Sequence, residues 1–174
     1  VTAYGVLSFH KLMEMERTFS WEEGDSAAMA GFALPPLPDR PDEPDRLEVD
    51  IGRQLLFLFE DGEVAEIIPV STGGTYRYYS VRQDAWVWAG TPRGDYTLTR
   101  HSLGWGCDPL TGWCIYSPWN FTPYYALHGY NSVPAYPASH GCVRLPTWES
   151  DLLESRLYLG MPIHLWDEYP PADG

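Results

Sequence analysis

The chain has 174 residues and a hydrophobic content of 44%, which suffices for one packed domain with a small appendage and argues against disorder. Its net charge of −13 excludes nucleic-acid binding, because such proteins carry a basic surface that displaces the counterions of phosphates. No apolar run is long enough to cross a bilayer, so we expect any membrane anchor to lie upstream of Val1.

The N-terminal region, residues 1–33, predicts two short helices. Val6, Phe9 and Leu12 fall on one helical face, and Asp25 can cap a second, Ala-rich helix. This pattern is similar to the back half of the small three-helix peptidoglycan-binding module. The resemblance implies a partial module that is truncated at its start.

A connector is predicted after this region. Five prolines interleaved with acidic residues between positions 34 and 46 favour an extended, semi-rigid segment over packed structure. We place the domain boundary near Arg46. The main domain is expected to span residues 47–168, followed by a tail at 169–174.

The main domain has the texture of β-structure. Asp61-Gly62 between two β-rich runs predicts a hairpin turn, and residues 73–90 predict a long aromatic loop, a lid or binding wall that can hold a small hairpin. Thr147 is expected to cap a helix from Trp148 to Arg156. Strands are predicted at about 47–51, 54–60, 63–73, 96–100, 113–117, 124–128 and 163–166. The predicted fold class is therefore mainly β, a β-sandwich or barrel-like fold with one helix near the C-terminus.

The three cysteines divide into a pair and a single residue. Cys107 and Cys114 bracket a turn-forming stretch, so a hairpin could bring them within disulfide range, whereas Cys142 stands apart. A disulfide indicates an oxidising, extracytoplasmic compartment. The alternative is two independent buried thiols in a cytosolic protein.

The chain around Cys142 has the residues of a thiol active site. A nucleophilic cysteine needs a base that takes its proton and backbone N–H groups that stabilise an oxyanion. Two histidines are candidates for the base, and His128 is preferred over His140 because side chains close together on extended backbone point apart. Gly129 and Gly141 permit the close backbone approach that an oxyanion site often needs.

Two other interpretations of these residues remain open. Cys142 could be a buried structural cysteine beside two packed histidines. His128, His140 and Cys142 could also bind zinc, although the sequence offers no evident fourth ligand nearby.

The same residues carry a family resemblance. His128 followed by Ser139-His140-Gly141-Cys142-Val143-Arg144 resembles the signature of the L,D-transpeptidase catalytic domain, which remodels bacterial peptidoglycan. That signature is a histidine, a loop, Ser/Thr-His-Gly-Cys, a hydrophobic residue, and Asn or Arg. Further landmarks within residues 46–168 are Ser71-Thr72-Gly73, the Thr91-Pro-Arg-Gly-Asp-Tyr turn and the closing Gly160-Met-Pro-Ile-His-Leu strand.

The resemblance implies catalytic roles for five of these residues. It implies that Cys142 is the nucleophile, that His128 is the base, and that the Gly129 carbonyl orients this base. It also implies that His140 and Gly141, with the Cys142 backbone, shape the oxyanion site.

The resemblance further places Arg144, Tyr130 and Ser139 on the substrate side of the site. Arg144 could meet a substrate carboxylate, or it could form a structural ion pair or hydrogen bonds to loop carbonyls. Ser139 is expected to fix the turn rather than to attack a substrate.

The implied activity is cysteine acyl transfer on peptidoglycan stem peptides. A thioester forms with release of D-Ala, and the acyl group passes to an amine of another stem. The alternatives are an L,D-carboxypeptidase that uses water as acceptor and a non-catalytic cell-wall-binding protein. The expected partners are stem peptides and glycan, with carbapenem-type β-lactams as covalent inhibitors, and no metal or organic cofactor is implied. The expected location is extracytoplasmic, in the cell wall or periplasm.

Overall fold

The computed structural model describes residues 37–167. The helices and module expected in residues 1–33 and the tail expected at 169–174 lie outside the described residues. The described chain forms β1 Arg46–Asp50, β2 Leu55–Glu60, β3 Glu63–Pro69, β4 Arg77–Ser80, β5 Ala85–Trp88, β6 Gly94–Thr97, β7 Arg100–His101, β8 Trp105–Cys107, β9 Cys114–Asn120, β10 Ala126–Tyr130, β11 Val143–Pro146, α1 Thr147–Leu153 and β12 Pro162–Trp166.

Two five-stranded sheets enclose the main core. One has the strand order β3-β2-β1-β12-β6, and the other has the order β11-β10-β9-β7, with β8 also paired to β9. Apolar side chains alternate along the strands of both sheets and pack between them. The burial of this apolar surface is the dominant favourable contribution to the free energy of folding. The core includes Leu47, Val49, Leu56, Leu58, Trp119, Leu127, Val143, Leu145, Leu153, Ile163 and Leu165. The mainly β prediction is confirmed.

Local turn chemistry sets the first hairpin. Asp61 and Gly62 have φ values of 52° and 81°, as a two-residue turn between β2 and β3 requires.

The strand predicted at 96–100 is divided between the two sheets. Leu98 N–H donates to Met161 O and Thr99 N–H to Asn120 O, so the chain crosses from one sheet to the other at this point.

The helix differs from its prediction at both ends. Thr147 is the first helical residue of α1, and Pro146 precedes it without any side-chain cap. The helix ends at Leu153 rather than Arg156, because the following residues form tight turns in which Arg156 N–H and Leu157 N–H both donate to Leu153 O. Arg156 lies beyond the helix, where its guanidinium contacts the carboxylates of Glu60 and Glu66, each at 2.7 Å. Within residues 37–167 no helix is long and apolar enough to span a membrane.

The described part of the predicted connector packs on the domain. The Arg46 side chain is buried, and its guanidinium donates to Glu43 O at 3.0 Å, Pro38 O at 2.9 Å and Glu48 Oε1 at 2.9 Å. A buried guanidinium requires such partners, since leaving its charge unpaired away from water is costly. The prolines therefore do not hold residues 38–45 away from the sheet.

Candidate active site

The pairing of β10 with β11 brings His128 and Cys142, two of the predicted catalytic residues, to one side of a sheet. The strands run parallel, with Leu127 opposite Val143 and His128 opposite Arg144. Because side chains alternate along a strand, the apolar residues face the core, while His128 and Arg144 face the other side. Cys142 immediately precedes β11 and shares the side of Arg144.

This side of the sheet is the floor of an open cleft of about 590 Å³. The β4–β5 hairpin, the β8–β9 loop and the turn before β11 form its walls. Six predicted site residues and both paired cysteines line the cleft: Cys107, Cys114, His128, Tyr130, Ser139, His140, Cys142 and Arg144. Gly129 and Gly141 contribute to the site through their backbone carbonyls, which accept hydrogen bonds.

His128 is buried and its ring orientation is fixed. Its Nδ1 lies 3.0 Å from the Gly129 carbonyl oxygen. A carbonyl only accepts hydrogen bonds, so Nδ1 carries the proton and Nε2 keeps a free lone pair. Burial, supported by the charge of Arg144, lowers the pKa of His128 to about 4 against the opposing effect of the Gly129 bond. The ring is therefore neutral at pH 7 and can accept a proton.

Cys142 is the free cysteine of the chain and is partly buried. Burial raises the pKa of its thiol, because the thiolate loses solvation. A backbone hydrogen bond involving Ala126 and the positive charge of Arg144 act in the opposite direction. At pH 7 the cleft therefore holds a neutral Cys142 thiol and a neutral His128 imidazole.

The pH dependence of Cys142 alkylation tests this resting state. Only the thiolate reacts, so a raised thiol pKa predicts that the iodoacetamide rate climbs about tenfold per pH unit between about pH 6 and 8. The rate should still rise beyond about pH 9. Alkylation can be followed by mass spectrometry of the peptide containing Cys142. A rate independent of pH over the lower range would instead reveal a preformed thiolate–imidazolium pair.

Ser139 organises the turn that precedes the cysteine. Its hydroxyl donates to Cys142 O at 2.5 Å and accepts from Gly141 N–H at 3.1 Å. Gly141 has a φ of +122°, a conformation that favours glycine. With its hydroxyl used inside the turn and only 1% of its surface exposed, Ser139 fits the expected turn role better than substrate binding.

A second set of bonds supports the turn from behind. Thr91 Oγ1 donates to Gly141 O at 2.9 Å and accepts from Gly73 N–H at 2.7 Å. The backbones of Ser71 and Arg144 exchange two hydrogen bonds of 2.9 Å. Sequence reasoning flagged these segments as landmarks but missed the Thr91 side chain, which no local pattern marks.

Arg144 lies on the cleft side of β11. Its guanidinium carbon sits 4.4 Å from the centroid of the Tyr130 ring, a cation–π contact. Among residues 37–167 no salt bridge to Arg144 is present, so the structural ion pair considered from sequence does not form there. The guanidinium keeps donors that can meet a carboxylate.

Three aromatic rings surround His140. The Trp113 ring is stacked on it at 4.2 Å, and the rings of Tyr78 and Tyr76 meet it edge-on at 4.5 and 5.7 Å. Burial, followed by the charge of Arg144, lowers the pKa of His140. The aromatic richness of residues 73–90 indicated a wall for the site, but no sequence pattern linked Trp113 to it.

The structure forms the Cys107–Cys114 disulfide, which joins paired positions of β8 and β9. Within the described residues, no group of three or more His, Cys, Asp or Glu side chains is arranged to hold a metal ion. The zinc ligands considered from the sequence, His128, His140 and Cys142, therefore do not form such a group in the described part of the chain.

Comparison with known proteins places this chain and its fold among the L,D-transpeptidases. The model of the L,D-transpeptidase catalytic domain (YkuD) matches residues 44–165. An L,D-transpeptidase from Xylanimonas cellulosilytica has a TM-score of 0.71 and 30% identity, over 83% of this chain and 70% of that one. The chain belongs to the L,D-transpeptidase family, as the motif predicted. Nothing in these matches supports an N-terminal peptidoglycan-binding module.

More distant structures share the fold. An L,D-transpeptidase from Stackebrandtia nassauensis has a TM-score of 0.60 at 22% identity, over 83% of this chain and 64% of that one. An L,D-transpeptidase in complex with imipenem has a TM-score of 0.56 at 17% identity, over 71% of this chain and 59% of that one. The chain thus spans less than two thirds of these two proteins. Among curated proteins, none matches the chain significantly.

Proposed function

We propose that this protein catalyses L,D-transpeptidation of peptidoglycan stem peptides, with Cys142 as nucleophile and His128 as base. The observation that carries the proposal is the fixed tautomer of His128: its Nδ1–H is held by the Gly129 carbonyl, which leaves Nε2 basic on the cleft side that Cys142 shares. Membership of the family supports the same assignment.

Acylation begins with a neutral pair. His128 Nε2 takes the thiol proton as Cys142 Sγ attacks the carbonyl between the third stem residue and the terminal D-Ala. The proton passes to the leaving nitrogen, the C–N bond breaks, and D-Ala leaves a thioester on Cys142. The amine of a second stem then attacks this thioester and gives its proton to His128. The C–S bond breaks and the proton returns to sulfur.

The turn before β11 contributes to charge stabilisation. We assign the oxyanion donors to backbone N–H groups of this turn, which lie next to the attacking sulfur. The Gly141 N–H is already donated to Ser139 Oγ, so Gly141 acts through its positive φ rather than as a free donor. His140 contributes through its place in the turn.

Arg144 and Tyr130 form the proposed substrate side. The Arg144 guanidinium, which lies over the Tyr130 ring, can donate charge-assisted hydrogen bonds to a carboxylate of the stem peptide. It supplies this positive charge in a protein whose net charge is −13. Since a structural relative was solved in complex with imipenem, we propose carbapenems as covalent ligands of Cys142. The disulfide and the family support an extracytoplasmic location, with stem peptides and glycan as partners.

Product analysis tests the proposed reaction. A tetrapeptide stem incubated with an amine acceptor should release D-Ala and give a cross-linked product by mass spectrometry, and Cys142→Ala should give neither. Hydrolysed tripeptide as the sole product at saturating acceptor would mean L,D-carboxypeptidase activity. No turnover by wild-type protein, with stems bound nevertheless, would favour the non-catalytic cell-wall-binding protein.

A further inference from the structure

The disulfide loop, residues 107–114, is a closed and internally bonded unit on the wall of the cleft. The Cys107–Cys114 bond closes it where β8 meets β9. Inside it, Asp108 N–H donates to Trp113 O at 2.8 Å, and the Asp108 carboxylate accepts from Leu110 N–H and the Thr111 hydroxyl, both at 3.0 Å. These bonds restrain residues that would otherwise be an exposed turn.

Trp113 connects this loop to the nucleophile turn. Its ring stacks on His140 at a centroid distance of 4.2 Å and an interplanar angle of 23°, and it also contacts Tyr78 at 5.8 Å. His140 is two residues before Cys142. Trp113 is 46% exposed, so burial alone holds it weakly, and its position depends on the loop that carries it.

A second contact joins the disulfide loop to the β4–β5 hairpin. The Arg82 guanidinium, in the turn of that hairpin, lies 2.9 Å from Asp108 Oδ2. Arg82 and Asp108 both line the cleft that holds Cys142. An exposed ion pair is weak by itself, so the disulfide supplies the lasting restraint at this wall.

We infer that Trp113 is a positioning residue for the nucleophile turn, and that the Cys107–Cys114 disulfide holds Trp113 in place and thereby makes the reactivity of Cys142 depend on redox state. The inference rests on the proposed role of Cys142 as nucleophile. A phosphine can break the S–S bond: phosphine and water give two thiols and the phosphine oxide. The freed loop then no longer holds Trp113 against His140.

Single-residue variants test this role of Trp113. Trp113→Ala should slow acylation of Cys142 by a carbapenem roughly 3- to 10-fold, the value of one aromatic pair, and Trp113→Phe should restore most of the rate. Trp105→Ala is the matched control, since Trp105 is 49% exposed on the same β8–β9 hairpin but packs on Tyr116. In Trp105→Ala the carbapenem should acylate Cys142 at the wild-type rate. Unchanged acylation in Trp113→Ala would overturn the inference.

Reduction tests the link between the disulfide and Trp113. A phosphine reductant should slow wild-type acylation by the same factor, and it should have no further effect on Trp113→Ala or on the Cys107→Ser/Cys114→Ser double variant. An equal slowing of Trp113→Ala by reduction would show that the two act independently and would overturn the inference.

The pH profile of Cys142 alkylation distinguishes positioning from a merely structural role. Loss of the Trp113 contact admits water to the turn, so the midpoint of the iodoacetamide profile should move to lower pH in folded Trp113→Ala. An unchanged midpoint would contradict the inference. This readout needs no carbapenem or stem peptide, so absence of a wild-type carbapenem adduct would count against the proposed function alone.

Discussion

Replacing His128 with Asn is expected to lower the rate of Cys142 acylation about 10²- to 10⁴-fold, the usual contribution of a positioned general base. The neutral Nε2 of His128 would be lost, and the thiol, whose pKa is raised by burial, would have no group to take its proton. Stopped-flow measurement of carbapenem acylation gives the rate directly. A thermal unfolding curve shows whether each variant remains folded.

His140→Asn is the control for this prediction, since both histidines were candidate bases from the sequence. Its ring lies among Trp113, Tyr78 and Tyr76, so its loss should cost about tenfold or less through a looser turn. A larger loss in His140→Asn than in His128→Asn would reverse the assignment of the base.

Gly141→Ala should disable the nucleophile turn. The added Cβ would overlap the Tyr125 ring, and the φ of +122° is strained for any residue with a side chain. Such strain costs about 1–3 kcal/mol, and displacement of Cys142 by about 1 Å would slow acylation about 10²-fold. Thermal unfolding and the carbapenem acylation rate measure the two effects.

Gly104→Ala separates backbone strain from the steric clash at Gly141. Gly104 also has a positive φ, +75°, but a Cβ added there meets open space. This variant should lose some stability and keep its acylation rate. If Gly141→Ala acylated as fast as wild type, the turn geometry would not limit the reaction.

Local patterns in the sequence predicted much of the fold and of the candidate site. Asp61-Gly62 predicted its hairpin because a two-residue turn requires positive φ values that these residues tolerate. The spacing of His128 and Cys142 predicted a shared site because it leaves room for a strand end and a returning loop, and both residues line the cleft. Both features depend on residues that lie within one stretch of the sequence.

The remaining features depend on contacts between distant parts of the chain. Thr91 supports Gly141 from fifty residues away, and Trp113 reaches His140 from the loop between β8 and β9. The local sequence does not predict the partner of either residue, because a threonine before proline and a tryptophan in a loop can each occur in many environments. The helix ends at Leu153 for the same reason, since Leu157 in the turns after it is buried in the core between the sheets.

The most direct test of the account is mass spectrometry of the intact protein after incubation with a carbapenem. Wild-type protein should gain the mass of one carbapenem, and peptide mapping should place it on Cys142 with Cys107 and Cys114 still joined. Cys142→Ala should gain no mass. An adduct that persists in Cys142→Ala would contradict the assignment of Cys142 as the nucleophile.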